Sequence, residues 1–150
     1  ELSLRRGRIC QNPVRELQDW WNQSHAFEGG FREAVDPCCQ LDVETGGGDI
    51  RIILADGLEL SYNRKEKIFR MEFTDPSIGA GRILRGRELE ELDRLRILMD
   101  VSSVEVFLNE GEDVFTTRFY PEGDSIRVHA EGGKCRGTYY FHTEEAEREN

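Results

Sequence analysis

The sequence predicts an all-β protein, a two-sheet antiparallel β-sandwich with one short N-terminal helix. About a dozen short segments alternate apolar and polar residues with a period of two, which is typical of strands with one buried face. Clusters of glycine, asparagine and aspartate separate these segments at short intervals, as in stacked antiparallel sheets. A chain of 150 residues can bury one such core without a disulfide or a metal ion.

The N-terminal region is predicted to form a hairpin followed by the helix. Residues 2–4 and 8–11 have the pattern of two strands around a turn at Gly7. Asn12 can cap a helix that has Pro13 at its first position. Apolar residues recur on one face of that helix at Val14, Leu17 and Trp21.

The rest of the chain is predicted to be strands joined by turns. Alternation of apolar residues marks strands at residues 26–28, 31–35, 39–43, 50–54, 58–62, 69–73, 126–130 and 135–141. Turn-forming residues separate them at 29–30, 46–48, 56–57 and 131–133, with a polar loop over 63–67. Residues 75–86 have the composition of a loop, and residues 87–92 fit either a helical turn or an edge strand.

The clearest local prediction is a set of strands between residues 95 and 121. Two groups of apolar residues alternate with neighbours on the opposite face, and both groups are expected to face the core. These groups are Leu95, Ile97 and Met99, then Val104, Val106 and Leu108. A hairpin turn follows at residues 109–112, where Gly111 is expected to adopt the positive φ that glycine tolerates.

This region also resembles a known family. The run D-V-S-S-V-E-V-F-L-N-E-G-E at residues 100–112, followed by V-F-T-T-R-F-Y-P at 114–121, resembles the C-terminal β-sandwich module of glycoside hydrolase family 32. That family contains invertases, levanases and sucrose-6-phosphate hydrolases. Residues 1–4 and 14–17, with Gly7, Gln11 and Pro13, are similar to the segment that leads from the family's catalytic domain into the sandwich. The matching stretches cover about a third of the chain.

The resemblance implies a concanavalin-like or lectin-like jelly roll and favours a strand at residues 87–92. It divides the chain into a junction segment at 1–22, the sandwich at 23–143 and an acidic tail at 144–150. The family's catalytic domain is a β-propeller with acidic motifs of the types W-x-N-D-P-N-G, R-D-P and E-C, and this sequence contains none of them. Its nearest counterparts, Asp36-Pro37 and Asp75-Pro76, lack the preceding arginine.

The expected function is therefore that of a non-catalytic module. A retaining glycosidase needs two carboxyls roughly 5 Å apart across the glycosidic bond, and the resemblance places both in a propeller outside this chain. The parent protein would be a cytoplasmic β-fructofuranosidase that hydrolyses sucrose 6-phosphate or sucrose. We expect no catalytic residue, cofactor or metal ion here. The expected partner is the propeller of the same protein, which the module would stabilise, and a homo-oligomer also stays open. Two alternatives stay open, a lectin-like module that binds fructans and a dimerisation domain.

The junction segment contains the candidate residues for a domain interface. Trp20 and Trp21 are adjacent beside an apolar helical face, and large aromatic side chains are enriched at the buried centres of interfaces. An interface with the propeller is favoured, and a sugar-stacking platform remains the alternative. The interface candidates are Val14, Leu17, Trp20 and Trp21.

Composition argues against several other classes of protein. A net charge of −10 is unfavourable for binding nucleic acid, and the apolar runs are too short for a membrane span. The four cysteines lack C-x-x-C spacing, and adjacent Cys38 and Cys39 would point to opposite faces of a strand, so small thiols in a reducing compartment are expected. His25, His129 and His142 lie on separate elements and are expected to be structural. The absence of an initiator methionine at Glu1 suggests a fragment.

Overall fold

The computed structural model describes residues 2–5, 8–11, 21–79, 84–100, 103–118 and 125–142. Its strands are β1 Leu2–Arg5, β2 Arg8–Gln11, β3 Gln23–Val35, β4 Cys39–Glu44, β5 Ile50–Leu54, β6 Leu58–Asn63, β7 Ile68–Phe73, β8 Leu84–Glu88, β9 Arg94–Met99, β10 Ser103–Leu108, β11 Asp113–Arg118 and β12 Ile126–Phe141. One helical turn, α1, spans Pro76–Gly79, and a 3-10 turn spans Asn109–Gly111. Within these ranges no helix is long and apolar enough to cross a membrane.

The two layers of the sandwich share two long strands. The 16-residue β12 pairs with β5 through its first half, where Val128 lies opposite Leu54, and with β4 through its second half, where Tyr139 lies opposite Leu41. Strand β3, of 13 residues, runs antiparallel along the other side of both halves. The first sheet is thus β11-β10-β9-β4-β12-β3, and the second is β8-β7-β6-β5-β12-β3. The predicted antiparallel sandwich is confirmed.

Two of the predicted turns are wrong. Residues 29–30 and 131–133 do not end strands, because they lie inside β3 and β12 at the point where each passes from one sheet to the other. The pairing register of β12 with β3 shifts between Glu131 and Arg136, which is the mark of a bulge. A Cβ atom on Gly132 would lie 2.8 Å from the carbonyl oxygen of Asp49. Glycine therefore permits a sharp bend here rather than a hairpin turn.

The core lies between the two sheets and is built by the alternation that the sequence shows. Both predicted groups on β9 and β10 are almost fully buried. The predicted hairpin is confirmed as well, since Leu108 pairs with Asp113 and Gly111 has a φ of 93°. Asn109 holds this turn against the preceding loop, because its side chain accepts a hydrogen bond from the Asp93 amide at 2.9 Å and donates one to the Glu91 carbonyl at 2.8 Å.

The structure tests only part of what the sequence predicts for the N-terminal region. Strands β1 and β2 pair antiparallel in a small sheet of their own, with Leu4 opposite Ile9. The predicted helix falls on residues 12–20, which lie outside the described residues, and Trp21 and Asn22 are in neither helix nor strand. The edge strand predicted at 87–92 is displaced, because β8 spans Leu84–Glu88 and the chain then leaves the sheet.

Candidate functional site on the outer face of the first sheet

A groove of about 580 Å³ lies on the outer face of the first sheet. Its walls come from residues of β3, β4, β9, β10 and β12 and from the turn after β10. Seven charged residues line it, and we call this region the charged groove. One of the seven is Glu28 on β3, and the other six form ion pairs with one another: Asp42, Glu44, Arg94, Arg96, Glu110 and Arg136.

Strand register brings these charges together. Asp42 and Glu44 are two residues apart on β4 and so face the same side of the sheet. On one neighbouring strand Arg96 lies opposite Asp42, and Arg94 lies opposite Glu44. On the other neighbouring strand Arg136 also lies opposite Glu44. Directly opposite residues in antiparallel strands have side chains close enough to interact, so each carboxylate faces at least one guanidinium.

The paired side chains form two groups of ion pairs, one around Asp42 and one around Glu44. Arg96 binds Asp42 through two nitrogens, with Nε 2.9 Å from Oδ1 and Nη2 3.3 Å from Oδ2. Glu44 lies between two arginines, 2.6 Å from Nε of Arg136 and 3.3 Å from Nη2 of Arg94. The other terminal nitrogen of Arg94 is 3.4 Å from Glu110. Paired guanidinium and carboxylate groups fix each other's orientation, so the groove presents charges in a defined arrangement.

The electrostatics of the carboxyls favour fixed negative charge over proton transfer. The hydrogen bond from Arg136, with the charges of Arg136 and Arg94, lowers the pKa of Glu44. Hydrogen bonds from Ser77 lower the pKa of Asp75, and a hydrogen bond from Lys67 lowers the pKa of Glu90. A glycosidase's general acid needs the opposite shift, a raised pKa that keeps the acid protonated near neutral pH.

Trp21 is joined to the charged groove through Gln40. The half-buried indole donates its N–H to Oε1 of Gln40 at 3.1 Å. Gln40, only 3 % exposed, donates in turn to Oδ1 of Asp42 at 3.0 Å. Of the four interface candidates, Trp21 is therefore placed beside the groove, and the other three lie outside the described residues: Val14, Leu17 and Trp20.

The cysteines and histidines are dispersed. Cys39 and Cys135 are buried and Cys38 is half-buried, and burial raises the pKa of each thiol. The side chain of Cys10 lies outside the described residues. His25 packs edge-on against Phe141, with ring centroids 5.2 Å apart. Across the part of the chain that the structure describes, no group of three or more histidine, cysteine, aspartate or glutamate residues could hold a metal ion.

His129 lies on the outer face of the second sheet, where its Nε2 is 3.4 Å from a carboxylate oxygen of Glu131. His142 follows the end of β12. The three histidines therefore occupy separate places, and none of them lines the charged groove.

Sequence reasoning did not identify the charged groove. The apolar positions of β4 and β9 predict the face that packs on the core. The outward-pointing residues between them were not used to predict a site. A signal was present, because β4 carries acidic residues at Asp42 and Glu44 and β9 carries basic ones at Arg94 and Arg96, each pair with strand spacing. Complementary charge on two half-buried strands indicates that the strands are neighbours. The contribution of Arg136 depends on a register that the sequence does not show.

The fold is that of the β-sandwich in family 32 glycoside hydrolase structures. The sucrose-6-phosphate hydrolase from Lactobacillus gasseri superimposes with a TM-score of 0.81 over 95% of this chain and 32% of that chain, at 18% identity. The family profile described as "Glycosyl hydrolases family 32 C terminal" matches residues 40–145. The chain therefore belongs to glycosyl hydrolase family 32, as its C-terminal domain, and the resemblance drawn from residues 100–121 is confirmed.

Two curated relatives show the same correspondence. The probable sucrose-6-phosphate hydrolase of Vibrio cholerae serotype O1 is 27% identical over 94% of this chain and 27% of its own length. The sucrose-6-phosphate hydrolase of Klebsiella pneumoniae is 32% identical over 81% of this chain and 25% of its own length. The chain thus spans about a quarter of the length of the curated relatives that it matches.

Proposed function

We propose that this chain is the non-catalytic C-terminal sandwich of a β-fructofuranosidase and that it stabilises the catalytic β-propeller of the same protein. Membership of the family supports the placement, and the share of the relatives that the chain covers leaves room for a preceding catalytic domain. The observation that carries the non-catalytic role is the pairing within the charged groove. Asp42 and Glu44 are bound to arginines, and the pKa of Glu44 is lowered rather than raised.

The reaction of the whole protein belongs to the same proposal. The names of the relatives support sucrose 6-phosphate as its substrate. The family resemblance adds cleavage of the fructosyl bond with retention of configuration. That chemistry needs a nucleophile and a general acid roughly 5 Å apart, which we assign to the preceding domain. A cytoplasmic location fits this substrate, because a charged sugar phosphate does not cross a bilayer unaided.

The stabilising role is tested on the longer protein that contains this chain. The half-life of its sucrose 6-phosphate hydrolase activity at elevated temperature is compared with that of a version truncated before residue 23. We expect the truncated protein to lose activity several-fold faster on heating, because it exposes a surface that the sandwich covers. An unchanged half-life would contradict stabilisation of the propeller.

A further inference from the structure

We propose that the outer face of the first sheet, centred on the charged groove, is the surface on which the preceding domain docks. The inference rests on the proposed function and goes beyond it, because it assigns the contact to one face of the sandwich and to named ion pairs. The proposed partner is a folded domain of the same polypeptide. It contacts the charged groove as well as the junction segment.

The path of the chain brings the preceding domain to this face. Strand β2 lies against the 3-10 turn Asn109–Gly111 and against β11, which belong to the first-sheet side of the molecule. Further along, Trp21 is hydrogen-bonded to Gln40 on β4 of the same sheet. The junction segment is therefore attached to the first sheet on both sides of residues 12–20, so a domain joined to its N-terminal end starts out beside this sheet.

Burial on the two outer faces is unequal. On the first sheet, Gln40 and Phe107 point away from the core and yet are only 3 % and 4 % exposed. On the second sheet, the described outward-pointing residues of β5, β6 and β7 are all exposed or half-buried, as expected of a face in contact with water. The first sheet thus has two outward-pointing residues that other parts of this chain already cover, and Trp21 of the junction segment lies on one of them, Gln40.

The chemistry of the groove fits a protein partner. Its seven charged residues carry four negative and three positive charges, so the groove has no excess positive charge to attract a phosphate or a nucleic acid. Arginine is enriched at protein interfaces, and contacts between domains of one chain are commonly polar, with about 600 to 1,500 Å² buried. Guanidinium and carboxylate groups that are already oriented by each other can accept and donate further hydrogen bonds without losing much side-chain entropy.

The test compares charge reversal on the two outer faces. The groove variant is Arg94→Glu with Arg136→Glu, whose side chains are 57% and 67% exposed in this chain. The matched control is Arg51→Glu with Arg127→Glu on the second sheet, where both arginines are also in exposed ion pairs, at 50% and 79%. Each pair is made in this chain alone and in the longer protein, and the melting temperature of the sandwich is measured by calorimetry.

We expect the groove variant to lower the melting temperature by several degrees more in the longer protein than in this chain alone. The control substitutions should change the melting temperature by the same amount in both proteins. The chain alone corrects for any loss of folding, because a defect within the sandwich appears in both backgrounds. Equal shifts for the groove variant would overturn the docking surface. So would a change from dimer to monomer in light scattering without the extra shift, because a second copy would then occupy the groove.

Failure of the proposed function gives a different result from failure of the docking surface. Hydrolysis of sucrose 6-phosphate by the unsubstituted longer protein is measured separately from the melting experiment. Absence of hydrolysis together with an extra melting shift would contradict the assigned reaction and support the docking surface. Hydrolysis together with equal shifts would support the reaction and contradict the docking surface.

Discussion

Nε of Arg87 lies 2.9 Å from Oδ1 of Asp113, and this ion pair joins the two strands at opposite ends of the hydrogen-bonded path, β8 and β11. The two sheets separate along this edge, whereas at the other edge they share β3 and β12. Phe69 lies opposite Arg87 on the neighbouring strand, and its ring packs against the ring of Phe115 with centroids 5.2 Å apart. The open edge of the sandwich is thus closed by side chains where backbone pairing is absent.

Replacing Asp113 by alanine should loosen this edge. Its side chain is only 10% exposed, so removal of the carboxylate loses a partly buried ion pair, and we expect the free energy of unfolding to fall by about 1 kcal/mol. Asp56→Asn is the control, because the contact of Asp56 with Arg127 is 3.7 Å long and well exposed, and asparagine tolerates the left-handed φ of 55° at this position. Urea denaturation measures both, and equal stability of the two variants would contradict closure by Asp113.

The core role of β10 is tested by Val106→Asp. Val106 is fully buried, and an unpaired carboxyl there should lower the free energy of unfolding by roughly 3 kcal/mol or more. Glu105→Asp keeps a carboxylate on the opposite, half-buried side of the same strand and should have a small effect. If chemical denaturation shows similar midpoints for the two variants, the assigned face of β10 is wrong.

This strand shows what sequence alone could predict. The alternation at Val104, Val106 and Leu108 fixes which side faces the core, because side chains on a strand point to opposite faces in turn. The following turn was also predictable, since glycine readily takes the left-handed conformation that Gly111 adopts. Both features depend on residues close together in the chain.

The turn after β10 should tolerate alanine poorly at its glycine. Gly111 has a φ of 93°, and Gly111→Ala should cost about 1 kcal/mol or more of stability. Gly133→Ala is the matched control, because a Cβ there meets no atom within 4 Å and its φ is not in the left-handed region. Thermal melts of the two variants give the comparison, and an equal loss at both sites would mean that φ does not decide the effect.

The features that sequence did not predict depend on distant parts of the chain. Gly132 and Gly133 look like a hairpin turn, because glycine marks turns and bulges alike and only the partner strands distinguish them. The pairing of Glu44 with Arg136 joins residues far apart in sequence and requires the registers of β4 and β12. Phe107 was placed correctly on the outer face, but its burial depends on what covers that face.

The ion pairs of Glu44 should make stability depend on pH. Because its pKa is lowered in the folded chain, the ionised carboxylate stabilises the fold above the unfolded pKa, and this contribution is lost as the pH falls through the folded pKa. The stability difference between the unsubstituted chain and Glu44→Gln should be constant near neutral pH, at up to about 1 kcal/mol, and shrink in acid. Denaturation at a series of pH values measures it.

The control measures the effect of Glu44→Gln in a chain in which Arg94 and Arg136 are both replaced by glutamine. Without the two guanidinium groups the cause of the lowered pKa is gone, so Glu44→Gln should then have little pH-dependent effect. A stability difference that grows as the pH falls would contradict the direction of the shift. Persistence of the original pH dependence without the arginines would contradict its cause.

The most direct test of the non-catalytic role is release of glucose or fructose by the purified chain. The assay uses sucrose and sucrose 6-phosphate, with Asp42→Asn and Glu44→Gln variants measured alongside. We expect release no greater than in a blank without protein, because Asp42 and Glu44 are held in ion pairs and the family's acidic motifs are absent from the sequence. Hydrolysis that persists through purification and is lost in either variant would contradict the non-catalytic role.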